Sequence, residues 1–372
     1  MSQPVVMVST YPPTRCGIAR FSASLRQGLE GRGQQVSVAR LVGPRDVSTS
    51  DPGVVIEFDP GSKMGIERAQ KVLNRYPTVI LQHEFGIYGP EDGRSVIELI
   101  SGLETAVMTV LHTVPLRPSS TQRVIIEALA ARSDLLSVPS HSARVALEDT
   151  FGIAADGVAV LPHGSAWVPS DHPSGPRRNL LTWGLLGPGK GIERALQAIA
   201  PLTQLSPPPL YKVVGQIHPN ILRRHGPAYR DSLERQAQKL GLSDLVKFED
   251  SYQPDESLYQ LASRADVIVI PYDNDEQVCS GVLTEAVTAG RPVVATDFPH
   301  ARELLGSGAG VVVAHGDTAA MTTAIEQYLT DDIAYRRAVE EARLVGQRLS
   351  WSTVARRYVE YLDRLGETVA VS

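Results

Sequence analysis

Apolar residues along this chain follow two alternating rhythms. Short, nearly continuous runs of Val, Ile and Leu recur at Val5–Ser9, Val36–Ala39, Val54–Phe58, Val79–Gln82, Ala106–Leu111, Leu135–Val138 and Val158–Leu161. Runs of that length suit strands buried on both faces of a parallel sheet. Between most of them the apolar positions lie three or four apart, as at Ile18, Phe21, Leu25 and Leu29. That spacing predicts helices over Gly17–Gly31, Lys63–Arg75, Arg94–Leu103, Thr121–Arg132 and Ser142–Thr150. Strands alternating with helices predict a doubly wound α/β domain.

The rhythm stops between Gly164 and Asn179, where Pro, Ser and Gly dominate and no apolar period survives. Such a stretch suits an interdomain linker. Alternation then restarts, with strands at Leu180–Trp183, Tyr211–Val214, Val246–Phe248, Asp266–Pro271 and Pro292–Thr296. Helices are expected at Ile192–Ala200, Tyr229–Leu240 and Glu256–Ser263, then between Ser280-Gly281 and Gly290. Beyond the N-cap Asp317, further helices run to Leu329, through Tyr335–Arg348 and over Ser352–Leu365. The layout is therefore two Rossmann-like domains, 1–168 and 180–350, joined by a linker at 169–179, with a last helix in 351–372. Two such sheets would leave an interdomain cleft between their strand ends, the expected place for the chemistry.

A length of 372 residues supports two cores, and 42% hydrophobic with 21% charged residues is ordinary for a globular protein. With 36 basic against 41 acidic residues the formal charge is −5, so no nucleic-acid partner is expected. Cys16 and Cys279 lie far apart in proposed ligand loops, which favours reduced thiols and a cytoplasmic setting. The opening MSQPVVMVSTYPP lacks the basic start of a signal peptide, and no run approaches the 18 apolar residues of a membrane span. Peripheral membrane docking and oligomeric state stay open.

Chemistry concentrates at predicted strand ends. After the strand ending at Pro271, a polar loop leads to Ser280-Gly281, which opens a helix whose free amides suit an anion, and Glu285 stands about one turn in. A carboxylate there suits a ribose diol; as an alternative it merely complements the helix dipole. Gly184-Leu-Leu-Gly-Pro-Gly-Lys190-Gly191 likewise joins a strand to a helix, and its amides with Lys190 could hold a diphosphate, or Lys190 could be a solvated helix-start lysine. Gly191 stands where a triphosphatase loop needs Ser or Thr for magnesium, and the spacing of Gly187, Gly189 and Gly191 is not the dinucleotide fingerprint. Further strand-end candidates are Arg15 and Gly17, His83 and Glu84, and His112, a lone histidine that is more often structural than functional. His163-Gly164 reads equally well as a hinge turn.

The segment around Glu285, with Ala286, Ala289, Gly290, Pro292, Val293, Val294 and Ala295, resembles the donor-binding core of the retaining glycosyltransferases of family four, a GT-B group. The resemblance extends to Gly184, Lys190 and Gly191, to the Gly17 loop, and to Leu-Ser-Trp351-Ser before a last helix that crosses back to the first domain in that family. It implies donor contacts from Gly17, Gly184, Lys190, Tyr252, Gln277, Cys279, Ser280, Gly281 and Glu285, the amides at 279–281 meeting sugar hydroxyls or the distal phosphate. His112, Lys190 and Gln277 would take the catalytic roles, His112 against the transferred sugar, with Arg15, His83 and Glu84 on the acceptor side. Three positions depart from the pattern. Gln277 replaces the first Glu of the family's Glu, seven residues, Glu motif, Leu185 replaces an Arg, and Cys16 replaces a Gly.

What the resemblance implies is a retaining hexosyltransferase of mannose or glucose type. Its donor would be a GDP- or UDP-linked diphospho-sugar, its acceptor a carbohydrate, lipid-linked or small-molecule hydroxyl. No metal and no cofactor are expected, because Lys190 and helix amides would stabilise the leaving diphosphate. Same-face attack would let the leaving phosphate help deprotonate the acceptor. Because Gln277 cannot supply negative charge, a sugar-nucleotide-binding partner or sensor without turnover is the alternative, with a sugar-nucleotide epimerase behind it. A two-domain solute-binding protein would want a signal peptide.

Overall fold

The computed structural model describes residues 3–371 apart from 45, 166–174, 218–220, 224–225, 252 and 254. Most of the expected linker and the proposed donor contact Tyr252 therefore lie outside the described residues. The chain divides into two compact units, one of Met1–Gly164 with Trp351–Ser372 and one of Ser165–Ser350.

The first unit is a seven-stranded, all-parallel sheet of β1 (Val5–Ser9), β2 (Val36–Leu41), β3 (Val54–Phe58), β4 (Thr78–His83), β5 (Ala106–Leu111), β6 (Leu135–Val138) and β7 (Val158–Val160). Their order across the sheet is β3-β2-β1-β4-β5-β6-β7. Central strands are fully enclosed, as continuous apolar runs demand, whereas edge strand β3 is half-buried. The helix Trp351–Val371 packs Val354, Ala355, Tyr358 and Leu362 into this unit's core beside Phe21, Leu25 and Leu29.

The second unit is a six-stranded parallel sheet of β8 (Asn179–Trp183), β9 (Leu210–Val214), β10 (Val246–Glu249), β11 (Val267–Ile270), β12 (Val293–Thr296) and β13 (Gly310–Val313), ordered β10-β9-β8-β11-β12-β13. Gly290 closes the helix Gly281–Thr288 in the left-handed region at φ +70°, the C′ geometry its position predicts. Two elements were not legible in the apolar pattern. The helix Pro299–Leu305 is only seven residues long, and β13 is a half-buried edge strand whose Gly310 lies too close to Val293 O for any Cβ. Among the described residues no helix is long and apolar enough to cross a membrane.

Candidate functional site

In a doubly wound sheet the ligand crevice forms beyond the carboxyl ends of the strands, where the strand order reverses. That point lies between β1 and β4 in the first unit and between β8 and β11 in the second. Chain direction and order thus bring the segments after these four strands to two places, and most of the expected residues stand on those segments, with His112 after the neighbouring strand β5.

In the second unit, the loop after β8 is held by main-chain bonds from Gly184 N to Val214 O (3.0 Å) and from Leu186 N to Gln216 O (2.8 Å). It also presses on the end of β11: Gly191 has φ +66°, and a Cβ there would fall 1.6 Å from Pro271 O. Asp273 N donates to Gly189 O at 2.9 Å, so the two post-strand loops form one body. Half-buried Lys190 sets its Nζ 4.2 Å from the Tyr272 ring centroid, a cation–π contact that fixes the ammonium at the end of β11. Leu185, at the family's Arg position, is exposed and offers no second cation.

Glu285 is 3% exposed, and its Oε2 accepts the indole N–H of Trp183 at 3.0 Å. Trp183 is the last residue of β8, so Glu285 and the Lys190 loop are tied to the same strand end. The structure thus brings Lys190, Gly184 and Glu285 to neighbouring strand ends.

The amides at the start of the Glu285 helix differ from expectation. Ser280 N does not face outward but donates to His300 Nδ1 at 2.9 Å, while its side chain caps Leu283 N at 3.2 Å. A buried donor already satisfied inside the chain is not offered to a phosphate. The next two amides along the helix, Gly281 N and Val282 N, have no acceptor among the described residues. Gln277 and Cys279 stand half-buried beside them. Asp273, in the polar loop, pairs with Arg194, and Asn274 Oδ1 accepts from Glu276 N.

In the first unit, Cys16 has a role its sequence position did not suggest: its Sγ caps the helix Gly17–Glu30, accepting from Ala19 N at 3.3 Å. Buried Arg40 pins the same loop, donating to Tyr11 O (3.0 Å) and Thr14 Oγ1 (2.9 Å) and pairing with Glu57. Arg15 and Gly17 are left exposed on top. No atom lies within 4 Å of where a Gly17 Cβ would stand, so the fold itself does not require glycine there.

At the ends of β4 and β5, His112 sits edge-on to Phe21 with ring centroids 4.6 Å apart. Its Nε2 lies 2.7 Å from Gln82 Oε1, and because an amide oxygen only accepts, Nε2 carries the proton. Burial, aided by the neighbouring His163 and His83, pushes its pKa down to about 3, so the ring is neutral and Nδ1 is an acceptor. Glu84 accepts from Thr113 Oγ1 (2.6 Å) and Phe85 N (3.0 Å), and burial raises its pKa against those bonds. His83 departs from its expected acceptor-facing role. It is 0% exposed, lies against Phe85 and Tyr88, and neither ring nitrogen has a partner among the described residues. Its ring points into the core because the β4 pleat and the Phe85–Ile87 turn enclose it, which leaves Glu84 as the surface member of the pair.

Trp183, His300 and Gln82 are contacts that pattern reading did not single out. Trp183 and Gln82 stand inside strands, where an aromatic or amide reads as core. His300 carried a weak signal, following a strand and a proline.

Two parallel sheets with flanking helices, each carrying chemistry-bearing loops at its switch point, define the GT-B class of α/β fold, and solved structures of that class superpose on the chain. Anabaena HepE, crystallised with UDP and glucose, matches with a TM-score of 0.77 and 18% identity over 97% of this chain and 100% of its own. Sucrose-phosphate synthase from Thermosynechococcus elongatus matches with a TM-score of 0.75 and 19% identity over 100% of both chains. Residues 170–345 match the family model described as glycosyl transferases group 1. A phosphatidyl-myo-inositol mannosyltransferase of Mycobacterium leprae (strain TN) is 35% identical over 144 residues, 38% of this chain and 37% of that one. A D-inositol 3-phosphate glycosyltransferase of Corynebacterium urealyticum is 33% identical over 129 residues, 34% and 30% of the two chains. The matched stretches thus span about a third of each relative's length.

Proposed function

We propose that this protein is a retaining glycosyltransferase that moves a hexosyl group from a nucleotide diphospho-sugar to an acceptor hydroxyl without a divalent ion. One observation carries the reading: Lys190 and Glu285, a diphosphate-type cation and a ribose-type carboxylate, are anchored at adjacent strand ends through Tyr272 and Trp183. Glu285 takes the ribose hydroxyls. Lys190 with the Gly281 and Val282 amides takes the diphosphate, where charge grows as the sugar C1–O bond breaks. The acceptor oxygen bonds to C1 from the same face, and its proton passes to the leaving diphosphate. Neutral His112 accepts from a sugar hydroxyl through Nδ1, Gln277 donates from its amide, and Arg15 and Glu84 meet the acceptor.

UDP-glucose, with which HepE was also crystallised, and GDP-mannose are the first donors to test, and the names of the similar proteins make phosphatidyl-myo-inositol and D-inositol 3-phosphate the first acceptors. Release of GDP or UDP coupled to a glycosylated product is expected in EDTA. His112→Ala should lose about 100-fold in turnover with nucleotide affinity within a few-fold of wild type. Gln277 favours a second reading, a sugar-nucleotide-binding partner. Tight nucleotide binding with no turnover for any acceptor would select it.

A further inference from the structure

The segment from Gln277 to Gly281 links β11 to the helix that carries Glu285, and it is gripped at both ends by one residue. His300 N donates to Gln277 O at 3.3 Å, and His300 Nδ1 accepts from Ser280 N at 2.9 Å. His300 is 3% exposed, at the start of the helix Pro299–Leu305 that follows β12. One side chain and its own amide thus close both ends of a polar loop against the neighbouring strand end. We infer that His300 is a positioning residue that holds the Gln277–Gly281 loop in its ligand-binding shape, aiming the Gly281 and Val282 amides at the diphosphate of a sugar nucleotide.

The chemistry of the contact is specific. Ser280 N–H needs an acceptor, so the imidazole must be unprotonated at Nδ1, with its proton on Nε2. Burial keeps the ring neutral by pushing its pKa down to about 4, against the opposing pull of Glu303. If the contact broke, Ser280 N–H would be a buried donor without a partner, and the loop would shift to satisfy it. The first turn of the Glu285 helix begins at that point, so a shift of about an ångström there displaces both free amides.

The inference rests on the donor-site reading, and its test separates the two. In His300→Leu the acceptor is gone. In His300→Asn the amide oxygen occupies about the place of Nδ1. Two readouts are taken on the full chain well below its melting temperature: hydrogen exchange at the Ser280 amide, and calorimetric affinity for UDP and GDP. The expected result is faster Ser280 exchange and about ten-fold weaker nucleotide binding in His300→Leu, both largely restored in His300→Asn. Unchanged Ser280 exchange in His300→Leu would overturn the clamp. Faster exchange with unchanged affinity would reduce it to a purely structural bond. A wild-type protein that binds neither nucleotide would overturn the donor-site reading itself, and the positioning role with it.

Discussion

Three histidines at strand and helix ends are held neutral by burial. His83 and His112 are pushed down to about 3 and His300 to about 4, against an ordinary 6.5. The consequence for stability has a definite sign. Between about pH 6.5 and 4 the unfolded chain takes up a proton on each of these side chains and the folded chain does not. Stability is therefore full above 6.5 and falls as pH drops through that window, by up to about 1.4 kcal/mol per pH unit for each histidine. Urea midpoints should be lower at pH 5.0 than at pH 7.5, and His83→Leu, which removes a buried ring without partners, should weaken that dependence. A midpoint that does not move between those pH values would contradict the buried, neutral assignment. At this scale Lys190 and Glu285 were legible because each stands in a motif whose spacing has a mechanism. Trp183 and His300 were not, because their roles come from contacts across neighbouring strands that spacing along the chain does not encode.

At the scale of elements, the post-strand loops are fixed by backbone geometry. Gly191 and Gly189 both have positive φ, +66° and +88°, yet only at Gly191 would a Cβ strike main chain, at Pro271 O. Gly191→Ala should therefore destabilise the second unit by on the order of 2–4 kcal/mol and weaken nucleotide binding. Gly189→Ala, which meets nothing within 4 Å, should cost only about 1–2 kcal/mol of backbone strain. Thermal melts of the two variants check this, and equal losses would mean the loop does not bear on β11. Most strands were readable as apolar runs because both sheet faces are covered. Edge strand β13 and the two-turn helix before it were not, since half-burial and short length erase the period that pattern reading depends on.

For the whole molecule, the strand orders give each unit one switch point, and most of the sequence motifs fall on the loops that flank them, the His112 motif following the next strand, β5. This is why the fold class and the placement of the candidate loops could be read from alternation and strand-end motifs alone, while the direction of the Ser280 amide and the enclosure of His83 could not. On the proposed reading, the second unit grips a nucleoside diphosphate through Lys190 and Glu285 without a divalent ion. Calorimetric titration of UDP and GDP in EDTA, on the wild type and on Glu285→Ala and Lys190→Ala, tests it most directly. The wild type should bind at least one nucleotide, and each variant should lose about 10- to 100-fold in affinity, the worth of a hydrogen-bonded charge. Binding by Glu285→Ala as tight as wild type, or no binding by the wild type, would contradict it.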